Sequence, residues 1–245
     1  MSRRTAIYNS ANTDTSLLCF NVIPWNPITN LPLNRVGTLV LPLTPKVDEY
    51  KTHIIYDVQY KDISKVITVR SNIVVKNLTQ NKVEIRLSQK NSSFGHTLDQ
   101  VIEYEQSCYI PVEFCSNSII QFKPLESIYK WSEQSIFLPD LTSVKSVQLF
   151  KCPSSAPTDS YFTLIQVTEI KHSFDNIEYV ITLLPSLIIE NLLCSPLFYK
   201  ISDLSTGSLL HQSSIDSGQE TQLNHVDLYQ ANLTNLKISI ERKLI

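Results

Sequence analysis

Asp99, Glu103 and Glu105 stand close to His96, and this is the one local grouping in the chain that hints at acid–base work. Carboxylates are usually exposed, so the stretch reads as a solvated loop leading into a strand. A triad drawn from distant residues would leave no local trace, and nothing argues for one. The four glycines, Gly37, Gly95, Gly207 and Gly218, are too dispersed to form a GxGxxG turn or a phosphate-binding loop. The five histidines occur singly, with no HExxH and no second His or Cys at ligand spacing. The expectation is a chain that is no enzyme, with no catalytic residues, no cofactor and no metal.

Two asparagines stand out for a different reason. Asn77 and Asn191 each follow one apolar run and precede another, which places each at a strand end or turn. There an Asn can adopt the left-handed conformation, or use its amide to satisfy neighbouring backbone groups. Alternatively the amide holds a loop or edge strand open for a partner.

With 21 basic against 23 acidic residues and no basic run beyond a pair, the surface is not built to track phosphates, and nucleic acid is not an expected partner. Five dispersed cysteines, Cys19, Cys108, Cys115, Cys152 and Cys194, read as small hydrophobes in a reduced, cytosolic setting. The sequons at Asn77, Asn91 and Asn232 are expected to be chance matches, because no signal peptide precedes them. The most apolar run, Leu183 to Leu193, contains Pro185, Glu190 and Asn191 and falls well short of the ~20 residues that span a bilayer.

The elements that must position these residues have a period of two. Val83, Ile85 and Leu87 alternate with Glu84 and Arg86, as in a half-buried strand. Tyr161 to Ile170 is rich in β-branched and aromatic residues, and its first half is apolar on both faces. Asn, Ser, Pro and Asp clusters separate such runs, and no amphipathic helix of three turns is expected.

The chain also repeats itself. ITVRSNIVVKNLTQNKVEIRL (67–87) aligns without a gap on ITLLPSLIIENLLCSPLFYKI (181–201), placing Asn77 on Asn191, Ile67 on Ile181 and Thr68 on Thr182. A weaker echo relates 110–125 to 223–240 and to 31–43. The predicted fold is all-β, with tandem β-sandwich-like repeats of about 110 residues. Residues 1–59 are read as the C-terminal part of one repeat, 60–173 as a complete repeat and 174–245 as the N-terminal part of the next. The chain thus reads as a section of a longer array.

These residues resemble the adaptor-binding (VAB) repeats of the VPS13 family, the bridge-like lipid transfer proteins. The Asn, the strand after it, and the later Trp131-Ser132 and Cys152-Pro153 landmarks stand in the family's order over nearly the whole chain. The resemblance implies a protein-interaction module that docks Pro-x-Pro peptides of organelle-specific adaptors, and so targets a lipid conduit to membrane contact sites. It implies a cytoplasmic location at organelle membranes, with membrane association indirect and with flanking repeats as further partners. It carries a role in adaptor binding or repeat integrity onto Asn77 and Asn191. The other readings are a spacer without ligand contact, or an unrecognised hydrolase or lipid-handling enzyme with a deep pocket of titratable groups.

Overall fold

A computed structural model describes residues 6–8, 17–45, 51–90, 96–144, 147–155, 160–173, 176–203, 207–226 and 236–241. The alternation over Val83 to Leu87 becomes a strand whose apolar residues are buried and whose charged residues lie on the other face. Burying each such side chain stabilises the fold by roughly 1.5–3 kcal/mol.

In chain order, β1 (Ala6–Tyr8), β2 (Leu17–Phe20) and β3 (Ile28–Pro32) form one antiparallel sheet. A second antiparallel sheet comprises β4 (Gly37–Pro42), β5 (His53–Lys61) and β6 (Ser64–Ser71). The central strands follow: β7 (Ile73–Asn77), β8 (Val83–Gln89), β9 (Thr97–Ile102), β10 (Ser107–Tyr109), β11 (Ser118–Pro124), β12 (Ile136–Phe137), β13 (Gln148–Pro153), β14 (Ser160–Ser173) and β15 (Asn176–Pro185). They build a five-stranded sheet, β10-β7-β15-β14-β13, and a four-stranded sheet, β12-β11-β8-β9.

The two central sheets share one apolar core. Val75, Phe150, Ile165, Ile181 and Leu183 of the first pack with Val83, Ile85, Leu87, Ile120 and Phe122 of the second. Phe122 and Phe150 meet edge to face, with ring centroids 5.7 Å apart. Tyr161, Phe162 and Thr163, at the start of β14, are all buried, so both faces of that strand are covered where the sequence is apolar throughout. The only helical turns among the described residues are two short 3₁₀ segments, Val112–Phe114 and Leu138–Ser143.

The last strands are β16 (Leu187–Glu190), β17 (Leu197–Asp203), β18 (Leu209–Ile215), β19 (Glu220–Leu223) and β20 (Leu236–Glu241). Their pairings reproduce those of β7 to β11. β16 pairs β19 as β7 pairs β10, and β17 lies between β18 and β20 as β8 lies between β9 and β11. The protein is all-β, as its alternation predicts.

One weak echo is corrected by the sheets. Residues 31–43 do not correspond to 110–125, because β4 pairs β5 as β13 pairs β14. The counterpart of Ser118–Pro124 is Leu17–Phe20, where β2 pairs β3 as β11 pairs β12. Short apolar strands of one fold share an alternating pattern, so a match by pattern slides easily onto the wrong strand.

The boundary at 59/60 falls in β5, close to the turn of the β5–β6 hairpin, and that at 173/174 falls at the end of β14. β15 enters the central sheet parallel to β7, the one parallel pairing among the described strands. Ile181 and Leu183, which begin the second copy of the sequence repeat, thereby sit in the core built by the first.

Candidate functional site

β7 lies in the five-stranded sheet and β8 in the four-stranded one, so the chain must cross from sheet to sheet over residues 78–82. Asn77, the last residue of β7, is buried at this crossing. Its backbone N–H donates to Gln106 O at 3.0 Å, and its carbonyl accepts from Glu105 N–H at 2.8 Å. Its side-chain Nδ2 donates to Asn81 O, just before β8, at 2.8 Å, and to Ile102 O, at the end of β9, at 3.0 Å. Its Oδ1 accepts from Thr79 N–H at 2.9 Å and from Thr79 Oγ1 at 2.7 Å. One amide thus satisfies the crossing turn and ties the two sheets together.

Asn191 repeats the arrangement. It is buried, and its Nδ2 donates to Ser195 O at 3.0 Å and Ile215 O at 2.8 Å, while Oδ1 accepts from Leu193 N–H at 3.0 Å. Its backbone pairs with Gln219 O and Gly218 N–H. Leu193 stands where Thr79 stands in the other copy, so the hydroxyl bond is missing. Glu105 (φ 59°) and Gly218 (φ 71°) hold the same left-handed turn position. The residues in left-handed conformation do not include Asn77 or Asn191; both use their amides instead.

With every amide atom engaged inside the fold, neither side chain reaches the surface. Serine is too short to span all three positions, and apolar residues would strand the carbonyls of Ile102 and Ile215.

The Asn77 turn is also gripped from outside. Leu78 N–H donates to Leu183 O at 2.9 Å, while Gln222 Oε1 accepts from Gln80 N–H at 2.8 Å and Gln222 Nε2 donates to Leu78 O at 3.3 Å. Near the end of β6 and the start of β15, Arg70 and Glu178 form a bidentate ion pair, with Nη2 to Oε2 at 3.0 Å, and His172 Nε2 lies 3.0 Å from the same carboxylate oxygen. Burial works to raise the Glu178 carboxyl, but the bonds from Arg70 and His172 win and hold it below its ordinary value.

The carboxylates near His96 do not form an acid–base centre. Asp99 pairs with Arg86 at 2.8 and 2.6 Å, and Glu103 pairs with Lys82 at 2.8 Å on the exposed side of β8 and β9. The bonds from Arg86 hold the Asp99 carboxyl below its usual range. Among the described residues, no three His, Cys, Asp or Glu side chains gather as metal ligands. On the same sheet the Arg86 guanidinium and the Lys123 ammonium lie 4.2 and 4.7 Å from the Trp131 ring centre, a cluster that sequence spacing does not reveal. Asn91 and Asn232 lie outside the described residues, and the sequon at Asn77 is buried.

The family described as "Vacuolar-sorting associated protein 13, adaptor binding domain" matches residues 3–244. The chain belongs to this adaptor-binding domain family. A stretch of 127 residues, 52% of the chain, is 26% identical to the "Intermembrane lipid transfer protein tipC" of Dictyostelium discoideum. The match covers 3% of that relative's length. An adaptor-binding domain has protein partners, and in this one both asparagines are buried. Among its described residues no helix is long and apolar enough to cross a membrane.

Proposed function

We propose that this adaptor-binding domain docks adaptor proteins through Pro-x-Pro peptides, and so targets a VPS13-type lipid transfer protein to membrane contact sites. The observation that carries the reading is the family match along nearly the whole chain. The fold supplies suitable receptors. β9 and its counterpart β18 each pair on one edge alone among the described strands, with Val101, Leu209 and Leu210 exposed along them. An extended peptide adds to such an edge through its main chain, and proline pre-extends it, so less entropy is lost on binding.

In this reading the domain is a non-enzymatic module, cytoplasmic and peripheral at organelle membranes, whose membrane contact runs through the adaptor. Residues 60–173 are one repeat, flanked by parts of two others. Asn77 and Asn191 act by fixing the turn from one sheet to the other, and so the edges presented to the peptide. Co-precipitation of full-length adaptors tests the proposal. Capture should require the adaptor's two prolines, and capture that survives their replacement by alanine would refute it.

A further inference from the structure

The edge strands β9 and β18 hold the same place in successive copies of the repeat and differ in charge. β9 belongs to the central sandwich, with described strands of the chain before and after it in place, and it still pairs with β8 alone. Its open edge therefore belongs to the repeat itself. Gln89 N–H donates to His96 O at 3.2 Å, and the alternation of an antiparallel ladder then turns the backbone groups of Thr97, Asp99 and Val101 outward. Ile102 and Ile215 each accept from an asparagine amide, which fixes the correspondence of the two strands. In β18 the outward positions fall on Gln212 and Ser214, opposite Lys200 and Phe198 of β17.

On β9 the Asp99 carboxylate takes two bonds from Arg86, at 2.8 and 2.6 Å, so the edge neutralises the cation beside it. A charge on an edge strand also discourages a further strand from adding. β18 has no such guard: from Leu209 to Ile215 it carries no carboxylate, ammonium or guanidinium. Gln212 stands where Asp99 stands and Lys200 where Arg86 stands, so the cation lacks the anion of the edge strand. Among the described side chains no carboxylate pairs with Lys200. Leu209 and Leu210, at one end of the edge, are 50% and 45% exposed. His211 lies 3.1 Å from Tyr199 OH, and burial, with His225 nearby, pushes its imidazole below the ordinary value.

We infer that β18 is the edge that receives the adaptor, and that its occupant is an extended peptide with a carboxylate between its two prolines. The inference rests on the adaptor-docking reading and adds the residue that reads the peptide. A strand added to β18 bonds through every second residue, and proline, having no N–H, fits only the alternate positions. In Pro-x-Pro the residue x therefore takes a bonding place opposite Gln212 or Ser214, with its side chain on their face of the sheet. Opposite Gln212 it lies two strands from Lys200, about 10 Å between Cα atoms at the usual strand spacing. A glutamate and a lysine side chain close that gap together. Charge complementarity thus places an acidic residue at x, and Leu209 favours an apolar residue beyond the prolines.

Fluorescence polarisation of short labelled peptides against the full chain tests this edge. Pro-Glu-Pro should bind about three- to fivefold more tightly than Pro-Gln-Pro, the upper part of the range of an exposed ion pair, and Pro-Lys-Pro more weakly than either. The differences should shrink as salt is raised. Lys200→Gln should abolish the preference and leave the Pro-Gln-Pro affinity unchanged, and Lys200→Glu should reverse it in favour of Pro-Lys-Pro. Gln212→Pro removes an outward N–H without touching the ladder to β17, and should abolish binding of all three. Lys200 is exposed, so its variants report on binding even where the proline variant fails to fold. Proline-dependent binding that ignores the middle residue, or a preference that survives Lys200→Gln, would overturn this inference and leave adaptor docking standing. No binding by any of the proline peptides would overturn both.

Discussion

Asn77 and Asn191 hold the same three main-chain partners: the N–H two residues on, the carbonyl four residues on, and a carbonyl 25 or 24 residues on at the end of a neighbouring strand. Each stands at a crossing between two sheets, and each amide is spent within the fold. In the proposed reading their part in binding therefore runs through the shape of the repeat and not through contact.

Replacing Asn77 by serine should lower stability by about 2–3 kcal/mol, because the carbonyl of Ile102 is left buried and unpaired. Asn191→Ser should cost less, about 1–2 kcal/mol, since Asn191 lacks the bond that Thr79 gives to Asn77. Both variants should keep most of the fold and weaken adaptor recruitment. Urea unfolding monitored by tryptophan fluorescence, paired with co-precipitation of an adaptor, checks both statements; unchanged recruitment by a stable variant would contradict them.

The Arg70–Glu178 pair gives the fold an acid-sensitive contact. The Glu178 carboxyl is held below its ordinary 4.5, so the folded form binds its proton less readily than the unfolded chain. The stabilisation is fully present above about pH 4.5 and fades as the pH falls through the lower, folded-state value. At pH 7 Glu178→Gln should destabilise by about 1–3 kcal/mol, leaving Arg70 without its counter-charge. Urea midpoints of parent and variant should converge as the pH drops from 7 to 3, and a constant gap would contradict the assignment.

Much of this was legible in the sequence, and the exceptions have physical causes. The all-β class, the alternation over β8 and the two asparagines follow from period-two patterning and a gapless repeat, both of which are local. The exchange of β15 into the core of the preceding copy is not local: nothing in Ile181 or Leu183 tells which neighbour they will pair with. The same limit hides the grip of Gln222 on the Asn77 turn and the Arg86–Trp131–Lys123 cluster, whose members come from separate strands and a loop. Residues 31–43 misled because Leu and Pro recur at similar spacing in strands of different position.

Gln222 couples the Asn77 turn to β19, so Gln222→Ala should loosen the following strands from the central sandwich. The expected loss is about 0.5–1.5 kcal/mol, with the urea transition broadening or splitting. Hydrogen exchange should quicken at Gln80 before it does in β8, whereas uniform quickening would argue against a local coupling.

The cysteines should react in order of their surroundings. Burial pushes the Cys115 and Cys152 thiols up to about 12, so neither offers thiolate at neutral pH, whereas Cys194 is exposed on the turn after Asn191. Iodoacetamide followed by peptide mass mapping should mark Cys194 first, and Cys115 and Cys152 only in denaturant. Early labelling of Cys152 would place it outside the core.

Adaptor docking is tested most directly by fluorescence polarisation of labelled Pro-x-Pro peptides against the folded chain, with proline-to-alanine peptides beside them. The account predicts saturable binding that is lost when the prolines are replaced. No binding by a demonstrably folded chain, or binding indifferent to the prolines, would contradict it.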